Sequence, residues 1–181
     1  MSRNYKFHNP EGMYFISFAT VFWIDVFVRK VYKESIVKNL NYCVDKKGME
    51  IYAWCLMPSH VHLIFKSNKQ KPEGLIRDFK SFTSKELISL IKGNIQESRK
   101  EWMIKAFQKA AKSNSNNTIH QFWQQHNNPI ELWSSKVIDQ KIDYVHNNPV
   151  VAGFVEQPQE WKYSSARDFC DEKGLVNLSL T

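Results

Sequence analysis

His60-Val61-His62 is the first string in the chain that could do chemistry. In an extended strand, residues two apart share a face, so both imidazoles would project together while Val61 packs on the other side. Two adjacent imidazoles are half of a divalent-metal site and need one or two further ligands. The string alone is a weak signal, because two surface or satisfied core histidines read the same way. Its placement adds weight: it follows the turn pair Pro58-Ser59 and opens the apolar run Leu63-Ile64-Phe65. Tyr144 is the second candidate. It stands four residues before Asn148, and a helical path would stack the two on one side. That side is offset from the Ile138, Ile142 and Val145 stripe, so Tyr144 borders the core. A tyrosine packed at a core edge is the duller account of it.

Together these residues make sense as one reaction. A phenol has a pKa near about 10 and is a poor nucleophile at neutral pH. A divalent cation can polarise a scissile phosphate and stabilise charge in the transition state. The phenolic oxygen can then attack phosphorus and form a covalent phosphotyrosine. One phosphodiester replaces another, so the strand can be rejoined without ATP.

Such a site needs a nucleic-acid track. The formal net charge is +7, from 25 Lys and Arg against 18 Asp and Glu. Residues 66–112 hold 12 basic and 5 acidic groups, matching the whole excess, whereas residues 113–181 hold 5 and 8. A concentrated basic surface captures polyanions; a solvated helix face is the bland alternative. Within that segment Arg77, Lys80, Ser81, Ser84 and Lys85 fall away from the apolar stripe, on a face that could meet phosphates.

The elements that must position these groups follow from periodicity. Met13 to Val21 reads as a strand, and Lys30 to Tyr42 as a helix stopped by Gly48. Glu50 to Met57 and His60 to Lys66 read as an antiparallel hairpin about Pro58-Ser59. Pro72 opens a helix to about Ile95 with Leu75, Phe79, Phe82, Leu87, Leu90 and Ile91 as its stripe. A second, from Glu97 to Lys112, is expected to bury Trp102, Met103, Ala106, Phe107 and Ala110. The polar stretch Ser113 to Thr118 reads as an exposed loop, and Ile119 to Leu132 as a further strand region. The last helix spans about Ser135 to Asn147; Pro149 is expected to end it and could turn Asn148 off the helical path. Trp54, Trp123, Trp133 and Trp161 are expected in the core, with base stacking as the alternative. Cys43 and Cys55 are expected to be buried. Hairpin strands mixed with helices predict an antiparallel α+β sandwich close to the ferredoxin-like pattern.

Length and composition bound the rest. At 181 residues the chain is below the roughly 250 at which cores split, so one domain over 1–181 is expected. Three scattered cysteines exclude a disulfide framework and a CxxC zinc site, and suit a reducing cytoplasm. No secretory leader pattern opens the chain. The most apolar stretch, Tyr14 to Val28, is interrupted by Ser17, Thr20 and Asp25, so no membrane partner is expected.

Several strings taken together resemble the single-tyrosine HUH transposases (IS200-like), in which U is a hydrophobic residue. They are MetProSerHisValHisLeuIlePhe (57–65), ArgAspPheLysSerPheThrSer (77–84), PheTrpGlnGlnHis (122–126), TyrValHisAsnAsnProValValAlaGlyPheVal (144–155) and TrpLysTyrSerSer (161–165). The block at 144–155 is most similar to the branch of tyrosine transposases associated with repetitive extragenic palindromes (REPs). The resemblance spans roughly residues 13–169. It implies an HUH-type, RRM-like antiparallel sheet with helices packed on it. It implies that His60 and His62 bind a divalent metal, Mg2+ or Mn2+, with Asn148 at the position of a polar third ligand. It implies that Tyr144 becomes linked to the 5′-phosphate of cleaved, hairpin-forming single-stranded DNA, releasing a 3′-hydroxyl. His146, on another side of the helix, reads as structural or DNA-facing. The segment at 97–118 is longer than in compact relatives, and an extension follows from about residue 150. Family members include dimers with exchanged tyrosine helices, so a homodimer is a candidate assembly. Two other readings stay open: a non-catalytic nucleic-acid-binding domain of the same fold, and an HxH hydrolase using metal-bound water. The latter usually recruits Asp or Glu ligands, and no carboxylate lies near His60 in sequence.

Overall fold

Alternation along four strands builds one antiparallel sheet with two different apolar faces. The computed structural model describes residues 6–113 and 119–179. Strands β1 (Tyr14–Ala19), β2 (Met49–Leu56), β3 (His60–Ser67) and β4 (Ile130–Glu131) lie in the order β2-β3-β1-β4. That is the ferredoxin-like order, and the expected α+β class is observed. On β3, Val61, Leu63 and Phe65 enter the larger core, with Tyr14, Ile16 and Phe18 of β1. Ile64, Phe15, Ala53 and Cys55 enter a smaller core on the other face. One extra residue, Tyr52, sits between the pairs Ile51↔Phe65 and Ala53↔Ile64. This bulge switches the parity of β2, so Ile51 and Trp54 both serve the larger core.

Helices α1 (Lys30–Lys47), α2 (Pro72–Gly93) and α3 (Lys100–Lys112) supply the larger core. Helix α1 runs five residues beyond the expected Tyr42 and stops at Gly48, whose φ of 73° closes a left-handed cap on Cys43 O. Pro72 opens α2 as predicted. Phe82 and Trp102 correct the expected stripes: both are exposed, at 60% and 57%. Helix α3 starts three residues late because the Glu97 carboxylate is buried, accepting from Arg29 Nε at 2.7 Å and Arg99 Nε at 3.2 Å. Trp54 and Trp123 are core, as are Cys43 and Cys55. Trp161 is half-buried, and Trp133 is 80% exposed, against expectation.

The expected strand over Ile119 to Leu132 shrinks to β4 and a single bridge, Thr20↔Trp123. Asn128 adopts a φ of 43° and Pro129 has no amide to give the ladder, so pairing lapses across the polar run. Residues 114–118 of the predicted loop lie outside the described residues. Helix α4 (Ser135–Val151) packs alone on the smaller core, capped by Ser134, whose Oγ accepts from Val137 N. It does not end before Pro149. Only two residues follow the proline, so little of the helical ladder is lost, and Gly153 at φ 74° makes the stop. The chain beyond α4 covers the edge of β2: Leu56 N donates to Tyr163 O at 2.8 Å, and Ser165 Oγ bonds both Trp54 N and Trp54 O. No described helix is long and apolar enough to cross a membrane.

Candidate active site

The site sits where the start of β3 meets the C-terminal half of α4. The period of two aims His60 and His62 at α4 while Val61 is buried on the far face. The preceding turn is pinned: Thr20 N donates to Ser59 O at 2.9 Å, and Phe27 N donates to Pro58 O at 2.9 Å. His60 Nδ1 faces Ser59 Oγ at 3.2 Å, which makes Nε2 the nitrogen available for coordination. The two imidazole centroids are 4.8 Å apart.

Tyr144 completes the cluster from the same chain. Its ring lies 5.4 Å from that of His62 and 5.8 Å from Phe15, and it is 48% exposed. Because α4 continues through Pro149, Asn148 stays one turn beyond Tyr144 on the helical path. Burial lowers the pKa of both histidines, that of His62 to about 3, with His60 and Lys141 adding to the shift and the nearby Asn148 side chain opposing it. Both imidazoles are therefore neutral at physiological pH, as coordination requires. His62 is buried, yet neither of its ring nitrogens has a hydrogen-bond partner. A buried polar atom left unpaired costs about 1–3 kcal/mol, so it calls for an explanation. A divalent cation bound beside it would supply one. Among the described residues no three His, Cys, Asp or Glu side chains gather to hold a metal, so an all-acid-and-histidine set is not on offer.

Two neighbours had no signature in the sequence. Lys141 Nζ lies 5.2 Å from the centre of the Tyr144 ring and 5.0 Å from that of Phe15. Its place three residues before Tyr144 was the only clue. Trp23 stands edge-on to His60 at 5.3 Å. Phe22 and Trp23 both hold left-handed backbone, at φ 56° and 55°, a cost of order 1–3 kcal/mol each for non-glycine residues. Local patterning carries no trace of that conformation.

The expected phosphate-facing residues of α2 are not brought to this cluster, because α2 packs on the opposite face of the sheet from α4. Lys80 donates to Gln124 O at 2.6 Å and Asn127 Oδ1 at 2.7 Å, and burial lowers its pKa to about 8. Arg77 pairs with Asp78 at 3.2 Å, and Ser84 is half-buried. Ser81 and Lys85 are exposed and line a groove with Lys38 and Tyr42 of α1. His146 is structural: it is buried, shares a 2.8 Å hydrogen bond with Ser165 Oγ, and contacts Phe169.

A pair of histidines on a ferredoxin-like sheet faces a helical tyrosine, the arrangement that the resemblance to the single-tyrosine HUH transposases implies. The family described as IS200-like transposases matches residues 14–126, and the chain belongs to it. The structure of a REP-associated tyrosine transposase bound to a REP hairpin is similar over 99% of this chain and 93% of that one. Its TM-score is 0.61 at 18% identity, which establishes the shared fold. A Deinococcus radiodurans R1 protein assigned as a transposase aligns over 75% of this chain and 88% of its own, at 17% identity and a TM-score of 0.47. No curated protein sequence matches.

Proposed function

We propose that this transposase is a metal-dependent single-strand DNA endonuclease and strand transferase that works through a 5′-phosphotyrosine at Tyr144. The observation that carries the reading is the placement of Tyr144 beside His62, a buried imidazole with no partner for either nitrogen. His60, His62 and Asn148 would hold Mg2+ or Mn2+. That cation would polarise the scissile phosphate and offset charge developing on it. The phenolic oxygen of Tyr144 attacks phosphorus, forming the Tyr144–phosphate bond as the bond to the 3′-oxygen breaks. The phenolic proton is balanced by the proton that the departing 3′-hydroxyl carries. Attack by a 3′-hydroxyl reverses the step and rejoins DNA. The Lys141 ammonium, above the Tyr144 ring, would offset charge developing on the phosphate during attack.

Tyr144 and the histidines meet within one chain, which supports action in cis and makes a homodimer unnecessary for chemistry. Hairpin-forming single-stranded DNA is the proposed substrate, in line with the REP hairpin held by the similar protein. Arg77, Ser81 and Lys85 would then meet DNA away from the scissile phosphate, while Lys80 and Ser84 support that face. The absence of a carboxylate cluster among the described residues weighs against a metal-water hydrolase.

The test is a denaturing gel of labelled, hairpin-bearing single-stranded DNA incubated with the protein and Mn2+. A covalent adduct is expected with the wild type and not with Tyr144→Phe or with chelator. Cleavage that persists in Tyr144→Phe without an adduct would favour the hydrolase. Binding with no cleavage under either metal would favour a non-catalytic DNA-binding role.

A further inference from the structure

Beside the histidines lies a second surface that the strand-transfer chemistry does not use. Phe22, Trp23, Ile24 and Asp25 form one wall of an open cleft of about 500 Å³, and Trp102, Lys105 and Lys109 of α3 form the other. Positions 102, 105 and 109 recur at helical spacing, so one stripe of α3 turns an indole and two ammonium groups to the cleft while Met103 and Phe107 are buried behind it. Phe22, Trp23 and Trp102 are exposed at 60%, 58% and 57%, three large aromatics in one place. Left-handed backbone at both Phe22 and Trp23 holds their rings out of a core that lies directly beneath at Val21 and Ile24. The one carboxylate in the cleft, Asp25, is already paired with Arg99 at 2.6 Å, so its open charges are the two lysines.

Exposed aromatics interleaved with cations suit unpaired nucleobases, whose faces stack on rings while phosphates meet ammonium groups. Duplex DNA, with its bases stacked on each other, offers no such faces. The cleft is continuous with the active site through Trp23, whose ring lies 5.3 Å from that of His60. We propose that Phe22, Trp23 and Trp102, with Lys105 and Lys109, form a stacking platform for unpaired bases of the strand that runs on from the scissile phosphate. This inference rests on the proposed nuclease reading for the strand's direction of approach. It gives α3, the elaboration between α2 and β4, a role as one wall of a single-strand channel.

The experiment is fluorescence anisotropy of the full chain with a fluorescein-labelled oligo(dT) strand, in chelator so that binding is read without cleavage. Trp23→Ala and Trp102→Ala are each expected to weaken binding by about 5- to 100-fold, and Trp23→Phe to recover most of it. Lys105→Ala with Lys109→Ala should reduce the slope of log affinity against log salt by about 1.4. An oligonucleotide carrying 2-aminopurine should lose fluorescence on binding the unaltered protein and regain it with Trp102→Ala. Unchanged affinity in both tryptophan variants, or no quenching with the unaltered protein, would overturn the platform, as would equal losses for a duplex of the same length. If the wild type forms no adduct and Trp23→Ala still loses the strand, the platform stands and the nuclease reading falls.

Discussion

Burial decides what each residue of the site can do. His62 is neutral because its imidazole is desolvated among Phe15, Tyr144 and His60, and although the Asn148 side chain lies near, neither ring nitrogen has a hydrogen-bond partner. Asn148→Ala is expected to weaken Mn2+ binding by about 10- to 100-fold, read by calorimetric titration, if Asn148 is the third ligand as proposed. Lys141→Ala should slow adduct formation by about 10-fold and leave strand affinity nearly intact, read by single-turnover kinetics. His146 gives a pH signature. Its ring would take a proton near pH 6.5 when unfolded, but burial holds the folded value at about 4. Between those values the unfolded chain binds more protons, so stability is full above about pH 6.5 and falls as pH drops to about 4. The share of the loss due to His146 should be about 1–3 kcal/mol in thermal melts, and His146→Gln should remove that share while the share due to His62 remains. The histidine pair and Tyr144 were legible in sequence because periods of two and about 3.6 fix which side a residue faces. Lys141 and Trp23 were not, since one depends on which side of α4 meets β1 and the other on a left-handed backbone.

At the level of elements, α4 is the part the sequence misjudged most usefully. Pro149 breaks helices when many residues follow; here the helix ends two residues later, at Val151, with Gly153 making the stop, and Asn148 keeps its register with Tyr144. Gly153→Ala should cost about 1 kcal/mol through its positive φ, measured by denaturant unfolding. At the edge of β2 one hydroxyl joins three groups: Ser165 Oγ bonds Trp54 N, Trp54 O and His146 Nε2. Ser165→Ala should destabilise the chain by about 2–3 kcal/mol and leave His60 and His62 in place. Periodicity revealed α1, α2 and the β2–β3 hairpin well. It overextended the strand near Trp123, where backbone pairing ends at a positive φ and a proline that composition alone does not locate.

Across the whole molecule the sheet separates two surfaces: α1, α2 and α3 on one face, and α4 with the histidines and Tyr144 on the other. The basic excess in residues 66–112 was legible, but its division was not. Lys80 is spent inside the fold, Lys85 faces the α1–α2 groove, and Lys105 and Lys109 reach the cleft beside His60. The joining of Tyr144 and the histidines in one chain makes a direct prediction. An equimolar mixture of Tyr144→Phe and His62→Ala should form no adduct, and an adduct would mean that the tyrosine works on a partner's histidines. The account stands most squarely on the identity of the attacking atom. Digesting the covalent complex with protease and nuclease and sequencing its peptides by mass spectrometry reads that atom out. The expected result is a nucleotide joined through its 5′-phosphate to Tyr144; a nucleotide on any other residue, or none on a protein that has cut its DNA, would contradict it.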